Sequence, residues 1–315
     1  MLLLVGFIAL IKGADLLVEG ASSLARRLKV PDLVIGLTLV SFGTSVAELF
    51  VNISASIQDN NGIIVGNILG SNIFNGAVIL GVSAIIYPLK VTDNTVWKEI
   101  PLSLLAAIVF IVLANDQILD GAPLSQLSRI DGMILLLFFV VFIHYTISLA
   151  RQHRRLFEQQ SVYQDAVPKS LMLIAVGLLA LVVGGKWVVS GAVSLAKMWH
   201  ISEKLISLTI VAAGTSLPEL ATSAIAAYKK KPDIAVANIV GSNIFNIFFI
   251  LGVSAQISPV RYDTVFNIDA GMCILVSLLM FLFMFTFKRK KFDRAEGVFL
   301  LFLYLGYLSF LIYRG

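Results

Sequence analysis

GLTLVSFGTSVAELF at Gly36 to Phe50 and VGNILGSNIFNGAVILGVSAIIYP at Val65 to Pro88 decide the fold, because the chain contains them twice. The second copy reads SLTIVAAGTSLPELA at Ser207 to Ala221 and VANIVGSNIFNIFFILGVSAQISP at Val236 to Pro259. A shift of 171 residues superimposes 36–88 on 207–259 without a gap, with 27 identities in 53 positions. Gly43-Thr44-Ser45 meets Gly214-Thr215-Ser216, Glu48 meets Glu219, and GSNIFN at 70–75 recurs at 241–246. Each copy thus sets a carboxylate, hydroxyls and an amide inside apolar runs. Ionisable groups at membrane depth are costly and mark functional sites by default.

The surroundings of the two copies fit a bilayer. Of 315 residues, 58% are hydrophobic and 14% charged, where a soluble domain carries about a quarter charged. The apolar residues form runs of about 20, long enough to cross a membrane as helices. This composition predicts an all-α polytopic membrane protein. The net charge of +5 does not point to nucleic acid, because the basic residues sit between apolar runs and form no stripe. The single cysteine, Cys273, lies in an apolar run and reads as a packing residue. The opening MLLLVGFIALI lacks a basic n-region and a cleavage site and reads as the first span.

Ten spans are expected, near 1–25, 30–58, 62–87, 100–115, 129–150, 169–196, 202–228, 232–259, 267–287 and 295–312. They group into a first five-helix repeat over 1–150, a cytoplasmic linker over 151–168, and a second five-helix repeat over 169–315. Five spans per repeat is odd, so the second repeat enters the membrane inverted. That is the plan of many secondary transporters, with the site at the repeat interface. Seventeen Lys and Arg residues fall on one side of this arrangement and five on the other. The richer side is cytoplasmic by the positive-inside rule, which puts both termini outside the cell's inner membrane. The repeat extends weakly into spans one and six, where Gly13 meets Gly184 and Gly20 meets Gly191.

On a helix, Thr44, Ser45 and Glu48 lie within about one turn, as do Thr215, Ser216 and Glu219. Gly43 and Gly214 weaken the helix just before them, and Pro218 removes a hydrogen bond in the second copy. A break there frees carbonyls at a depth where free carbonyls must line a cavity. GSNIFN adds Ser71 with Asn75, and Ser242 with Asn246, at i and i+4, while Gly70 and Gly241 allow close backbone approach. Asn67 and Asn238 read as bridging helices, with lining the ion path as the alternative. Two inverted copies converge on one all-oxygen pocket with two carboxylates. Hard cations such as Ca²⁺ take about six to eight oxygen ligands. The absence of His and Cys from the stretch argues against zinc or copper. The same pocket suits Na⁺ or H⁺. In span one, Lys12, Asp15 and Glu19 stand about a turn apart and read as a self-neutralising cluster, with a gating role as the alternative.

GTSxxEL followed by GSNIFN, duplicated, resembles the alpha-repeats of the calcium/cation antiporter superfamily, and in particular its prokaryotic sodium/calcium exchangers. The resemblance covers essentially the whole chain. It implies exchange of Ca²⁺ for Na⁺ by alternating access, with spans one and six sliding across a core of eight helices and no cofactor. By motif position it implies ligands at Thr44, Ser45, Glu48, Ser71, Asn75, Thr215, Ser216, Glu219, Ser242 and Asn246, joined by backbone carbonyls of Ser41 and Ala212. The chain departs from the family pattern twice. Ala47 stands where proline is usual, which predicts a softer helix break. Asn246 stands where several members carry Asp, which removes a charge.

The alternatives are an H⁺-coupled or K⁺-dependent antiporter, a cation channel, and an intramembrane hydrolase using the carboxylates or Ser45 and Ser216. A channel places its symmetry between subunits, whereas here it lies within one chain, which is expected to work as a monomer. A hydrolase needs a base beside its nucleophile, and the sequence places none there.

Overall fold

A computed structural model describes residues 2–156, 167–198, 212–286 and 290–314. The first helix, α1, runs Leu2–Leu28. A bent pair follows, α2 over Asp32–Thr44 and α3 over Val46–Ile57, with 47° between them. Then come α4 (Asn61–Ile86), α5 (Thr95–Leu113), α6 (Arg129–Leu156) and α7 (Val167–Met198). After a short helical turn at Ala212–Gly214 the chain continues as α8 (Leu217–Tyr228), α9 (Pro232–Ile257), α10 (Thr264–Leu282) and α11 (Arg294–Arg314).

Seven of these helices are long and apolar enough to cross a membrane, and the bent pair makes an eighth. Two expected spans fall outside that set for identifiable reasons. α1 carries Lys12, Asp15 and Glu19 within its apolar run. The expected span 202–228 begins in residues that are not described. The central linker at 151–168 also lies largely outside the described residues.

The buried centre is built from the repeated stretch. In α9, 94% of the apolar window is enclosed, against 17% for α11, so α9 is a core helix and α11 a lipid-facing one. Tight glycine contacts set the flanking helices in two similar pairings. Gly81 of α4 lies against Gly297 of α11, and Gly252 of α9 against Gly132 of α6. The turns leading into α4 and α9 are also alike. Asp59 and Lys230 take positive φ (52° and 57°) just past their helices. The next amides, Asn60 and Lys231, close back onto Ala55 and Ala226, the usual way to satisfy terminal carbonyls.

α1 and α7 form a separate antiparallel pair along a glycine seam. Glycines recur every seventh residue on each helix, at 6, 13 and 20 and at 177, 184 and 191. A Cβ on Gly13 would stand 2.8 Å from the Gly177 carbonyl, and one on Gly184 would stand 2.9 Å from the Gly6 carbonyl. No side chain fits at such distances, so the backbones themselves are in contact. Small residues serve this purpose between membrane helices, where lipid supplies no hydrophobic drive. Gly13 and Gly184 are therefore close-contact residues of α1 against α7, and not of either against the core.

The all-α expectation needs one amendment. The connector strands β1 (Leu89–Lys90) and β4 (Lys291–Phe292) pair antiparallel, as do β2 (Gln126–Leu127) and β3 (Val260–Arg261). Each ladder joins two connectors that the ten-span arrangement puts on the same side. Lys290 also pairs with Asp93 beside the first ladder. The cluster in α1 differs from expectation too, since Asp15 pairs across helices with Lys229 at 2.6 Å.

Candidate cation-binding site

Both copies break their helix at the same place. Ser45 has φ −79° and ψ 9°, and Ser216 has φ −91° and ψ 8°. The near-zero ψ takes both serines out of the helical well into the sparsely used bridge region. At the serines themselves the two breaks are alike, but helix is interrupted at Ser45 alone in the first copy and at both Thr215 and Ser216 in the proline-containing second, the direction expected of a softer break beside Ala47. Gly43 and Gly214, common to both, come two residues before each serine. Gly43 packs against Leu178 and Gly214 against Val189, both of α7.

The two breaks face each other. Ser45 Oγ donates to Glu219 Oε1 at 2.9 Å, and Ser216 Oγ donates to Glu48 Oε1 at 3.1 Å. The threonines repeat the exchange. Thr44 Oγ1 donates to Asn238 Oδ1 at 3.1 Å, and Thr215 Oγ1 to Asn67 Oδ1 at 3.4 Å. Asn67 and Asn238 are anchored in turn, through Nδ2, to Asn52 Oδ1 at 2.8 Å and Ser223 Oγ at 3.0 Å. Asn67 and Asn238 thus bridge helices and carry the threonines of the opposite copy.

The other half of each copy meets in the same way. Asn75 Nδ2 donates to Asn243 Oδ1 at 3.0 Å, and Asn246 Nδ2 donates to Asn72 Oδ1 at 3.2 Å. Wide π-type turns include these positions, over Asn75–Ile79 in α4 and Phe245–Leu251 in α9. Such turns add a residue to the helical circuit and recur at functional sites.

Six oxygens of the expected ligand set are buried without a hydrogen-bond partner. They are Glu48 Oε2, Glu219 Oε2, Asn75 Oδ1, Asn246 Oδ1, Ser71 Oγ and Ser242 Oγ. Each parent residue is at most 1% exposed. An unpaired buried polar atom costs about 1–3 kcal/mol, and more when charged. The six form three repeat-related pairs.

Ser41 and Ala212 stand differently. The Ser41 carbonyl already accepts from Ser45 N at 3.1 Å, with Thr44 Oγ1 a further contact at 3.3 Å. It is therefore not a free carbonyl in this state, and the Ser41 hydroxyl is turned back to Leu37 O at 2.8 Å. Ala212 opens the short turn at the edge of the described residues. A Cβ on Gly241 would meet Ser41 Oγ at 2.7 Å, which explains the glycine there. At Gly70 nothing described lies within 4 Å.

The structure also alters one argument about chemistry. A carboxylate does stand beside each serine, supplied by the opposite copy, so the absence of a base was a limit of reading one copy at a time. Asn52, Asn72 and Asn243 were not singled out in the sequence, although the i, i+3 spacing of Asn72 to Asn75 and of Asn243 to Asn246 was visible.

Comparison with known proteins agrees with this geometry. A family model described as "Sodium/calcium exchanger protein" matches residues 1–148 and 169–313. The inner membrane protein YrbG of Escherichia coli is 39% identical over 88% of this chain and 86% of its own length. The sodium/calcium exchanger MaX1 of Methanosarcina acetivorans is 30% identical over 99% of this chain and 98% of its own. The solved structure of the sodium/calcium exchanger NCX_Mj, soaked with Na⁺ and Sr²⁺, superimposes with a TM-score of 0.83 at 33% identity, covering 98% of this chain and 96% of that one. A multi-span helical protein whose duplicated motifs meet in this way, and whose whole length matches that family, belongs to the sodium/calcium exchangers.

Proposed function

We propose that the chain is a secondary antiporter that moves Ca²⁺ against Na⁺ by alternating access, with the ions held between Glu48 and Glu219. The observation that carries this reading is the set of six partnerless oxygens. Four of them, on Glu48, Glu219, Asn75 and Asn246, can only accept when the carboxylates are ionised. A cation is the partner that satisfies acceptors without a proton. Six oxygens reach the lower end of the coordination number of Ca²⁺, and two carboxylates balance its charge. The same two charges balance two Na⁺ ions, so one cage serves both substrates in turn.

Ten spans in two inverted five-helix repeats give this cage its symmetry, each half supplying the same ligands from the opposite direction. The paired connectors, β1 with β4 and β2 with β3, are those that the ten-span scheme assigns to common sides. The moving part in this reading is α1 with α7. Their backbones are in direct contact, so they travel as one body past the α2 and α8 breaks.

The hydrolase reading has gained a serine–carboxylate pair, but the pair is duplicated and wholly buried. A second serine–carboxylate pair has no use in hydrolysis, whereas in transport it doubles the ligands of one cage. The test is uptake of radiolabelled Ca²⁺ by liposomes holding the purified chain, under imposed Na⁺, K⁺ or H⁺ gradients. The antiporter reading expects uptake driven by outward Na⁺. Uptake that ignores every gradient and merely follows Ca²⁺ would indicate a channel.

A further inference from the structure

Asn72 and Asn243 stand behind the ligands Asn246 and Asn75. Both are 2% exposed. Asn246 turns its Nδ2 to Asn72 Oδ1 at 3.2 Å, and Asn75 turns its Nδ2 to Asn243 Oδ1 at 3.0 Å. What each ligand amide has left is Oδ1, buried and unpartnered. Asn72 is held in its turn, with Nδ2 placed 3.5 Å from the Asn243 backbone carbonyl.

The chemistry of a carboxamide makes this arrangement consequential. Its two ends have similar shape and opposite polarity. With Oδ1 toward a cation an asparagine is a ligand; turned over, it presents an NH₂ group that repels one. Flipping Asn246 would bring its Oδ1 against Asn72 Oδ1, two acceptors without a proton between them. Flipping Asn75 would do the same against Asn243. The restraint comes from the other copy, and it is the firmer at Asn246, because Asn72 is itself anchored whereas Asn243 Nδ2 has no hydrogen-bond partner among the described residues.

We propose that Asn72 and Asn243 are positioning residues that fix the polarity of the ligand amides, holding Oδ1 of Asn246 and Asn75 toward the transported cation. This rests on the antiporter reading. Asn72 acts through Asn246, and Asn243 through Asn75. The residues themselves touch no ion.

A double-mutant cycle tests it in proteoliposomes of the full chain, reading the Ca²⁺ concentration for half-maximal Na⁺-driven uptake together with the maximal rate. Asn72→Leu should raise the half-saturating Ca²⁺ about tenfold, the ratio that ~1.4 kcal/mol of lost orientation gives, with a smaller change in maximal rate. In an Asn246→Ala background the same substitution should change neither quantity, because the amide it aims is gone. In an Asn75→Ala background it should keep its full effect. An equal penalty in all three backgrounds would mean that Asn72 is plain packing and would overturn the proposal. Asn243→Leu with Asn75→Ala is the mirrored cycle, and carries the test should Asn72→Leu fail to give monodisperse protein. A wild-type chain with no Na⁺-driven Ca²⁺ uptake would sink the antiporter reading itself, an outcome distinct from failure of the cycle alone.

Discussion

Ser45 in the first copy donates to Oε1 of Glu219 in the second at 2.9 Å, and the repeat-related Ser216 answers with Glu48 at 3.1 Å. Each break thereby holds the carboxylate of the other. One oxygen of each glutamate is used in this link and the other is left free. The link orients the carboxylates, and the free oxygens are what an ion would meet.

Glu48→Gln and Glu219→Gln should each lower Ca²⁺ uptake at least about a hundredfold while leaving the protein monodisperse. A charge pair near 4 Å at an effective dielectric of about 20 is worth about 4 kcal/mol, of which desolvation removes part. Glutamine keeps a carbonyl oxygen to accept from Ser216 or Ser45, so the cross-link survives and only the charge is lost. Either mutant retaining most of the Na⁺-driven flux in liposomes would rule out a paired-carboxylate site.

Cysteines in a Cys273→Ala background test the sidedness drawn from the basic residues. Asn60 and Lys90 are both exposed and lie in connectors assigned to opposite sides. Asn60→Cys should react with a membrane-impermeant maleimide in intact cells, and Lys90→Cys only after permeabilisation. The reverse pattern overturns the orientation of both termini.

Much of this was legible in one copy of the motif. Glu48 and Glu219 announced themselves because a carboxylate in an apolar run needs a reason. Thr44, Ser45, Ser71 and Asn75 followed by helical spacing. The cross-wiring was not legible, because it depends on which copy faces which. Asn72 is one residue of GSNIFN among six in the sequence, and only the bond from Asn246 in the other copy marks it out. Asp15 read as part of a local cluster because Lys229, 214 positions away, cannot be placed beside it by periodicity. The break beside Ala47 is one residue wide against two at Thr215 and Ser216, while the ψ of the two serines agrees within a degree.

Gly13→Leu or Gly184→Leu should slow exchange at least about tenfold and leave half-saturating Ca²⁺ within about threefold of wild type. Either side chain must push α1 and α7 apart, since a Cβ alone already meets backbone at 2.8–2.9 Å. Overpacking a tight contact costs about 1–3 kcal/mol, and here the strain falls on the helix pair and not on the cage. A parallel loss of affinity and rate would show that the seam supports the site directly.

Asn246 carries the last prediction. Asparagine occupies the equivalent position in both copies, at Asn75 and Asn246, so the cage holds two formal negative charges and not three. One bound Ca²⁺ neutralises it, and a K⁺ ion beside that Ca²⁺ would stand uncompensated. Each unit-charge pair at about 4 Å and an effective dielectric near 20 contributes about 4 kcal/mol, enough to decide whether an additional cation stays. Exchange should therefore proceed at full rate in potassium-free vesicles. Asn246→Asp supplies the third charge and should lower half-saturating Ca²⁺ while slowing its release, seen as a reduced maximal rate. It also removes the Nδ2 donor that Asn72 Oδ1 accepts, so Asn72 must turn its own Nδ2 toward the new carboxylate and release the Asn243 carbonyl. The aspartate variant should consequently gain affinity less than its charge alone predicts. Wild-type Ca²⁺ flux that stops without K⁺ would sink the two-charge cage.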